Sequence, residues 1–150
     1  MAKPEVTLRP ATIDDKVFLF DLARTVYKQL VIDQFGTWDE PLQKSNFERK
    51  WERANYRIIG INDKRIGTIW TTEEKDHIRL NEIQLLPEFQ RQGIGSDLVS
   101  NELEKAKKCS KAMRLRLLKE NSAIYFYERL GFAVYDETES HFFMTIQNGQ

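Results

Sequence analysis

The segment Pro87-Glu88-Phe89-Gln90-Arg91-Gln92-Gly93-Ile94-Gly95-Ser96 carries the densest chemical information in the chain. N–H groups in the first turn of a helix lack intrahelical acceptors, and glycines let a ligand come close to them. Such a segment can hold an anion, above all a phosphate. Gly93 and Gly95 supply the close approach, and Arg91 adds a positive charge. The same pattern also suits an ordinary glycine-rich strand-to-helix turn. A P-loop would need Gly-Lys-Ser/Thr at the helix entry, and Gly95-Ser96-Asp97 has no lysine. A dinucleotide fingerprint would need a third small residue where Leu98 stands, in an early βαβ unit and not past mid-chain. Neither motif fits.

A second candidate lies just upstream. Ile78 and Leu80 define one alternation phase of a strand, and Glu82 continues it, so its carboxylate is expected to point towards an apolar side. Burial disfavours a charged carboxylate, which suits a general base acting on an ammonium substrate. A strand-end glutamate paired with a cation such as Arg79 is the plain alternative. Ile83 and Leu85 occupy the opposite phase, which marks either a bulge or a strand buried on both faces. Cys109 sits among Lys107, Lys108 and Lys111, but no His or acid follows a nucleophile pattern, so it reads as a structural or surface thiol.

These groups need elements to position them. Val6–Arg9 reads as a first strand. Thr12 and Asp15 form a capping-box pattern opening a helix on which Ile13, Val17, Phe20, Ala23, Tyr27 and Leu30 share a stripe. Beyond Gly36, a second helix runs from Pro41 to about Arg53. Tyr56–Ile61 and Arg65–Thr72 are β-rich and joined by Asn62-Asp63, a hairpin signal. Ile78–Leu86 is a longer strand, and Gly95–Lys108 a helix with Ile94, Leu98, Leu103 and Ala106 on one side. Met113, Leu115 and Leu117 alternate with Arg114 and Arg116, which is strand period. Asn121–Leu130 is a short helix stopped by Gly131, and Ala133–Tyr135 and Phe142–Ile146 close the chain as strands. The order β-α-α-β-β-β-α-β-α-β-β means a mixed α/β domain with one central sheet.

Composition narrows the function classes. At 150 residues the chain is expected to form a single domain, residues 1–150. It carries 23 Lys+Arg and 23 Asp+Glu, and this balance argues against a general nucleic-acid or membrane binder. One cysteine and two histidines, His77 and His141, speak against a disulfide framework or a metal cage, so no metal is expected. No apolar run is long enough to cross a bilayer, and Met1–Pro10 has no signal-peptide core, so a cytoplasmic location is expected.

Gln90-Arg91-Gln92-Gly93-Ile94-Gly95 matches in full the Gln/Arg-x-x-Gly-x-Gly/Ala acyl-coenzyme A loop of the GCN5-related N-acetyltransferase (GNAT) family. Asn121 and Ala123, followed by Tyr127-Glu128-Arg129-Leu130-Gly131-Phe132, resemble its other signature. The element order is also the family's, so the resemblance spans nearly the whole chain. It implies a central mixed sheet of about six or seven strands with about four helices, and use of acetyl-coenzyme A.

By that resemblance, the backbone from Gln90 through Arg91, Gln92, Gly93, Ile94 and Gly95 to Ser96 would hold the coenzyme's pyrophosphate. Leu85 and Leu86 would pair their backbone with the pantetheine arm where the strand splays from its neighbour. Asn121 matches a position that bonds the arm; its plain alternative is a helix N-cap. Tyr127 matches the tyrosine beside the coenzyme sulfur, where a phenol can protonate the leaving thiolate. It is otherwise a core aromatic. The acceptor region implied by the family takes in Trp38, Asp39 and Glu40, an aromatic with two carboxylates suited to a cationic amine, and Glu137 and His141 between the last strands. Both stretches also read as polar turns. The basic run 105–119 can accept the coenzyme's ribose phosphate or is a solvated face.

The resemblance thus implies an acetyl-coenzyme A-dependent N-acetyltransferase acting by direct attack in a ternary complex, with Glu82 as base, directly or through water, and Tyr127 as acid. The acceptor is a small-molecule amine or a peptide or protein amine, with no nucleic-acid or membrane partner, and a homodimer is compatible with the family. A non-catalytic acyl-coenzyme A-binding module on the same fold is the alternative, and retention of both Tyr127 and Glu82 favours the enzyme.

Overall fold

The computed structural model describes residues 4–147; residues 1–3, the start of the stretch read as lacking a signal segment, and residues 148–150 lie outside the described residues. The chain runs β1 (Val6–Pro10), a 3-10 turn (Ile13–Asp15), α1 (Lys16–Phe35), α2 (Glu40–Trp51), β2 (Arg57–Ile61), β3 (Lys64–Glu73) and β4 (His77–Leu85). A second 3-10 turn (Pro87–Phe89) leads to α3 (Ile94–Lys108), β5 (Ala112–Leu118), α4 (Ala123–Arg129), β6 (Ala133–Glu137) and β7 (His141–Ile146). The seven strands form one mixed sheet in the order β1-β2-β3-β4-β5-β7-β6, as the mixed α/β reading requires. The β4–β5 pair is parallel, and β1–β2, β2–β3, β5–β7 and β6–β7 are antiparallel. No helix among the described residues is long and apolar enough to cross a membrane.

By internal contact the chain divides into two compact units, Met1–Trp70 with Glu82–Gln92, and Thr71–Asn81 with Gly93–Gln150. In the first, Asn62 and Asp63 both take positive φ, 51° and 63°, the left-handed pair that a two-residue hairpin turn demands. Ile58, Ile59, Ile66 and Ile69 of that hairpin are at most 1% exposed. Burying each such side chain contributes roughly 1.5–3 kcal/mol. Leu19 of α1 and Phe47 of α2 meet Tyr56 and Ile58 in an apolar cluster edged by Phe20, Trp51 and Trp70. Tyr56 and Trp70 lie 5.3 Å apart between ring centroids. The Asp39 carboxylate accepts the Leu42 N–H at 3.1 Å and starts α2 one residue before Pro41.

The first helix keeps only part of the stripe its apolar spacing suggests: Phe20, Ala23, Tyr27 and Leu30 are half-buried. Leu19 and Leu22 are buried, whereas Ile13 and Val17 are 68% and 73% exposed. Apolar residues occur on almost every side of α1, so periodicity alone does not select a face. The charge does: Asp15 is 2% exposed and anchors this end of the helix. Arg9 grips it with two bonds of 2.8 and 2.9 Å, Arg65 adds a third at 3.3 Å, and its carboxylate accepts the Thr12 N–H at 2.8 Å. The Arg9 guanidinium therefore holds the Asp15 carboxyl well below the usual carboxylate range, against the opposing cost of burial.

In the second unit, β5 alternates as expected, with Met113, Leu115 and Leu117 buried. α3 packs on β5, burying Ile94, Leu98, Val99 and Ala106. Leu103, expected on that side, is only half-buried, and Glu102 is buried instead, with Lys105 at 2.8 Å. Glu137 and His141 do not fall between strands, since they are the last residue of β6 and the first of β7.

Candidate functional site

Within the first unit, Glu82 is the centre of a polar cluster. Its side chain is 13% exposed; Lys50 of α2 pairs with one carboxylate oxygen at 3.0 Å, and Gln84 Nε2 donates to the other at 3.3 Å. The buried Tyr56 hydroxyl also donates to this carboxylate. Burial first, then the Glu82 charge and hydrogen bond, push the Tyr56 phenol well above its ordinary value. The cation facing Glu82 is thus Lys50 and not Arg79. Lys50 and Tyr56 were invisible to spacing arguments because they approach from α2 and from the residue before β2.

Other contacts in this stretch are local. Asn81 donates to Thr72 at 2.7 Å, while Glu82 bonds Tyr56, whose ring meets Trp70. Nearby, the backbones of β3 and β4 come close: a Cβ on Gly67 would lie 2.2 Å from the Gln84 carbonyl oxygen, which explains a glycine inside a strand.

The ladder between β4 and β5 covers only His77–Arg79, although β4 continues to Leu85. Beyond the strand, the Leu86 N–H donates to the Ile66 carbonyl at 2.8 Å. The Leu85 carbonyl accepts Gln90 Nε2 at 2.9 Å, and the Gln90 N–H reaches the Pro87 carbonyl at 3.2 Å. Gln92 Nε2 donates to the Glu88 carbonyl at 2.7 Å. Gln90 and Gln92 therefore fasten the loop to itself and to the strand end, leaving the Arg91 side chain exposed. Arg91 takes φ 62°, an uncommon conformation for a residue with a Cβ.

In the second unit, Gly93 is the N-cap of α3 with φ 85°, a conformation that glycine adopts without steric cost. Its carbonyl accepts the first helical bond, from the Asp97 N–H at 3.0 Å. The amides of Ile94, Gly95 and Ser96 consequently have no intrahelical acceptor, and the positive end of the helix dipole lies with them. The arrangement can hold an anion.

Asn121 Oδ1 accepts the Ala123 N–H at 2.9 Å, so the side chain caps α4. Tyr127 of that helix is 9% exposed, with Phe126 and Phe132 edge-on at centroid distances of 5.1 and 5.6 Å. Its hydroxyl has no hydrogen-bond partner among the described residues. Burial alone pushes this phenol well above its ordinary value, so it stays protonated across the neutral range.

The expected acceptor residues are occupied locally. Asp39 caps α2; Glu40 accepts Trp38 Nε1 at 2.7 Å and pairs with Arg24 at 2.8 Å, contacts that hold its carboxyl below the usual range. Glu137 pairs with Lys119 at 3.0 Å. His141 contacts Ser140 at 2.7 Å, and burial followed by the Arg116 charge lowers its ring below the ordinary histidine value.

Residues 52–134, more than half of the chain, match the model of the acetyltransferase (GNAT) domain. No curated protein matches the sequence. Among solved structures, the chain resembles the PaiA N-acetyltransferase of Thermoplasma acidophilum in complex with coenzyme A: TM-score 0.77, 22% identity, covering 95% of this chain and 99% of that one. The ribosomal-protein-S18-alanine N-acetyltransferase of Escherichia coli superposes with TM-score 0.69 at 20% identity, covering 97% and 96%. The yncA protein of Salmonella typhimurium, with its cofactor acetyl-CoA, gives 0.61 at 18% identity, covering 97% and 95%. At such identities the likeness is one of fold.

Proposed function

The chain belongs to the acetyltransferase (GNAT) family, and from that premise we propose that it transfers an acetyl group from acetyl-coenzyme A to a primary amine, of a small molecule or of a peptide or protein. The observation that carries this reading is the Tyr127 hydroxyl, buried among aromatic rings and unpartnered among the described residues. A buried hydroxyl without a partner loses roughly 1–3 kcal/mol, so its retention asks for a role. A phenol in this place can give its proton to a thiolate.

The residues present fit the coenzyme. The free first-turn amides at Ile94, Gly95 and Ser96, opened by left-handed Gly93, with Arg91 before them, would hold the pyrophosphate. The backbone at Leu85 and Leu86, past the end of the β4–β5 ladder, would lie along the pantetheine arm, and Asn121 would contribute its amide nitrogen. Bound acetyl-coenzyme A supplies the acetyl group as a thioester. Glu82 accepts a proton from the acceptor ammonium, directly or through water, with Tyr56 and Gln84 holding its oxygens in place. Tyr127 holds the proton that the departing sulfur takes.

A panel of primary amines, from polyamines and amino acids to peptides, separates this reading from a non-catalytic binding module. Incubated with the protein and acetyl-coenzyme A, at least one amine should release free thiol well above the protein-free rate. Acetyl-coenzyme A should also raise the melting temperature. Stabilisation without thiol release across the panel would favour the binding module, and neither effect would sink the coenzyme assignment.

A further inference from the structure

Three arginines share one face of the sheet in the second unit. Arg79 of β4 and Arg114 of β5 are direct register partners, and Arg116 follows two residues along β5 on the same side. Met113, Leu115 and Leu117 take the opposite, buried side. Arg79 and Arg116 are exposed and Arg114 is half-buried. None of the three forms an ion pair or a side-chain hydrogen bond among the described residues. Like charges placed directly opposite each other destabilise a sheet, and among the described residues no carboxylate pairs with any of the three. Asp76 feels the Arg114 charge, but its bond goes to His77 at 2.7 Å.

The same face carries apolar surface. Phe143 of β7 pairs in register with Arg116, and Tyr135 of β6 meets Phe143 at 6.4 Å and lies under the Arg114 guanidinium at 5.7 Å. Tyr135 is 50% exposed. Arg114 and Arg116 stand about 6.7 Å apart along the strand, the same spacing as alternate side chains of an extended peptide. Acids flank the face, Asp76 before β4 and Asp136 in register with Phe143. They would repel negative charge beyond the three arginines, so the acidic stretch that fits is short.

We propose that this face binds an extended acidic polypeptide segment, with carboxylates at alternate positions on Arg79, Arg114 and Arg116 and an apolar side chain against Tyr135 and Phe143. The binding is independent of acetyl transfer.

A fluorescein-labelled short peptide with Glu at every second position and one Phe, titrated with the full chain and followed by anisotropy, tests this. The acidic peptide should bind, its Gln-for-Glu counterpart should not, and added salt should weaken binding. In the Arg79→Gln/Arg116→Gln variant, both sites being exposed, affinity should fall at least about tenfold, as the loss of charge-assisted bonds implies. Lys107→Gln, an exposed charge on α3, should change little. Circular dichroism confirms that the variants remain folded, and Arg79→Lys/Arg116→Lys should restore part of the binding if the double glutamine variant is unstable. The proposal is overturned if the acidic peptide does not bind, if the arginine variant binds as the parent does, or if Lys107→Gln weakens binding equally. Tighter, arginine-dependent binding of a single-stranded oligonucleotide of equal charge would also overturn it.

Discussion

Glu82 in the first unit and Tyr127 in the second are both titratable groups shielded from water, yet they are held in opposite ways. Glu82 is gripped by charge and hydrogen bonds from Lys50, Tyr56 and Gln84. Tyr127 is held by shape, between Phe126 and Phe132, and its hydroxyl has no hydrogen-bond partner among the described residues. A group that must change charge during a reaction is tolerated in a buried place when neighbours stabilise its ionised form. A group that must start out neutral is kept so by an apolar shell. The contrast matches a proton acceptor on one hand and a proton donor on the other.

The largest effect should come from the group held by shape. Tyr127→Phe removes one oxygen and keeps the packing, so melting temperature and acetyl-coenzyme A stabilisation should stay near those of the parent. Turnover with the best amine should drop about 100- to 10,000-fold. Unchanged turnover would show that the leftover hydroxyl has no part in proton transfer.

Asp15 separates burial from charge, being as buried as Tyr127 and held by ions as Glu82 is. Asp15→Asn should cost about 3 kcal/mol of stability in urea unfolding at neutral pH, the low end for breaking a buried pair because Arg9 and Arg65 are partly exposed. The folded-state value of Asp15 is depressed, so its stabilisation is complete above the unfolded value of about 4 and disappears as the pH falls below it. The parent should lose more stability than Asp15→Asn on acidification; parallel pH profiles would rule out Asp15 as the source.

The smallest effect tests the charge side of the contrast. In the proposed mechanism an acceptor ammonium would have to displace the Lys50 ammonium, which pairs with the Glu82 carboxylate. Lys50→Met should lower KM for a cationic amine about two- to fivefold with little change in kcat, as suits a half-exposed ion pair. A higher KM would mean that Lys50 positions Glu82 and does not compete for it.

Much of this was legible in the residues. The Gly93–Gly95 loop opens a helix with free amides, Asn62-Asp63 turns a hairpin, and β5 alternates as read. Each of these depends on backbone sterics or on a period of a few residues. The buried stripe of α1 was not legible, because apolar residues on nearly all its sides satisfy several registers. Nor was the local use of Asp39, Glu40 and Glu137: a carboxylate in a turn looks the same whether it caps a helix, meets an arginine or waits for a ligand.

By itself the sequence determined the family signature, the element order and the identity of Tyr127, because glycine conformations, capping patterns and strand period act between near neighbours. Only the tertiary structure decided which partners Glu82 has, that the Tyr127 hydroxyl has none among the described residues, and that three arginines line one open face. Those outcomes rest on strand register and helix docking. They bring together residues far apart in the chain through packing energies that no short window of sequence records.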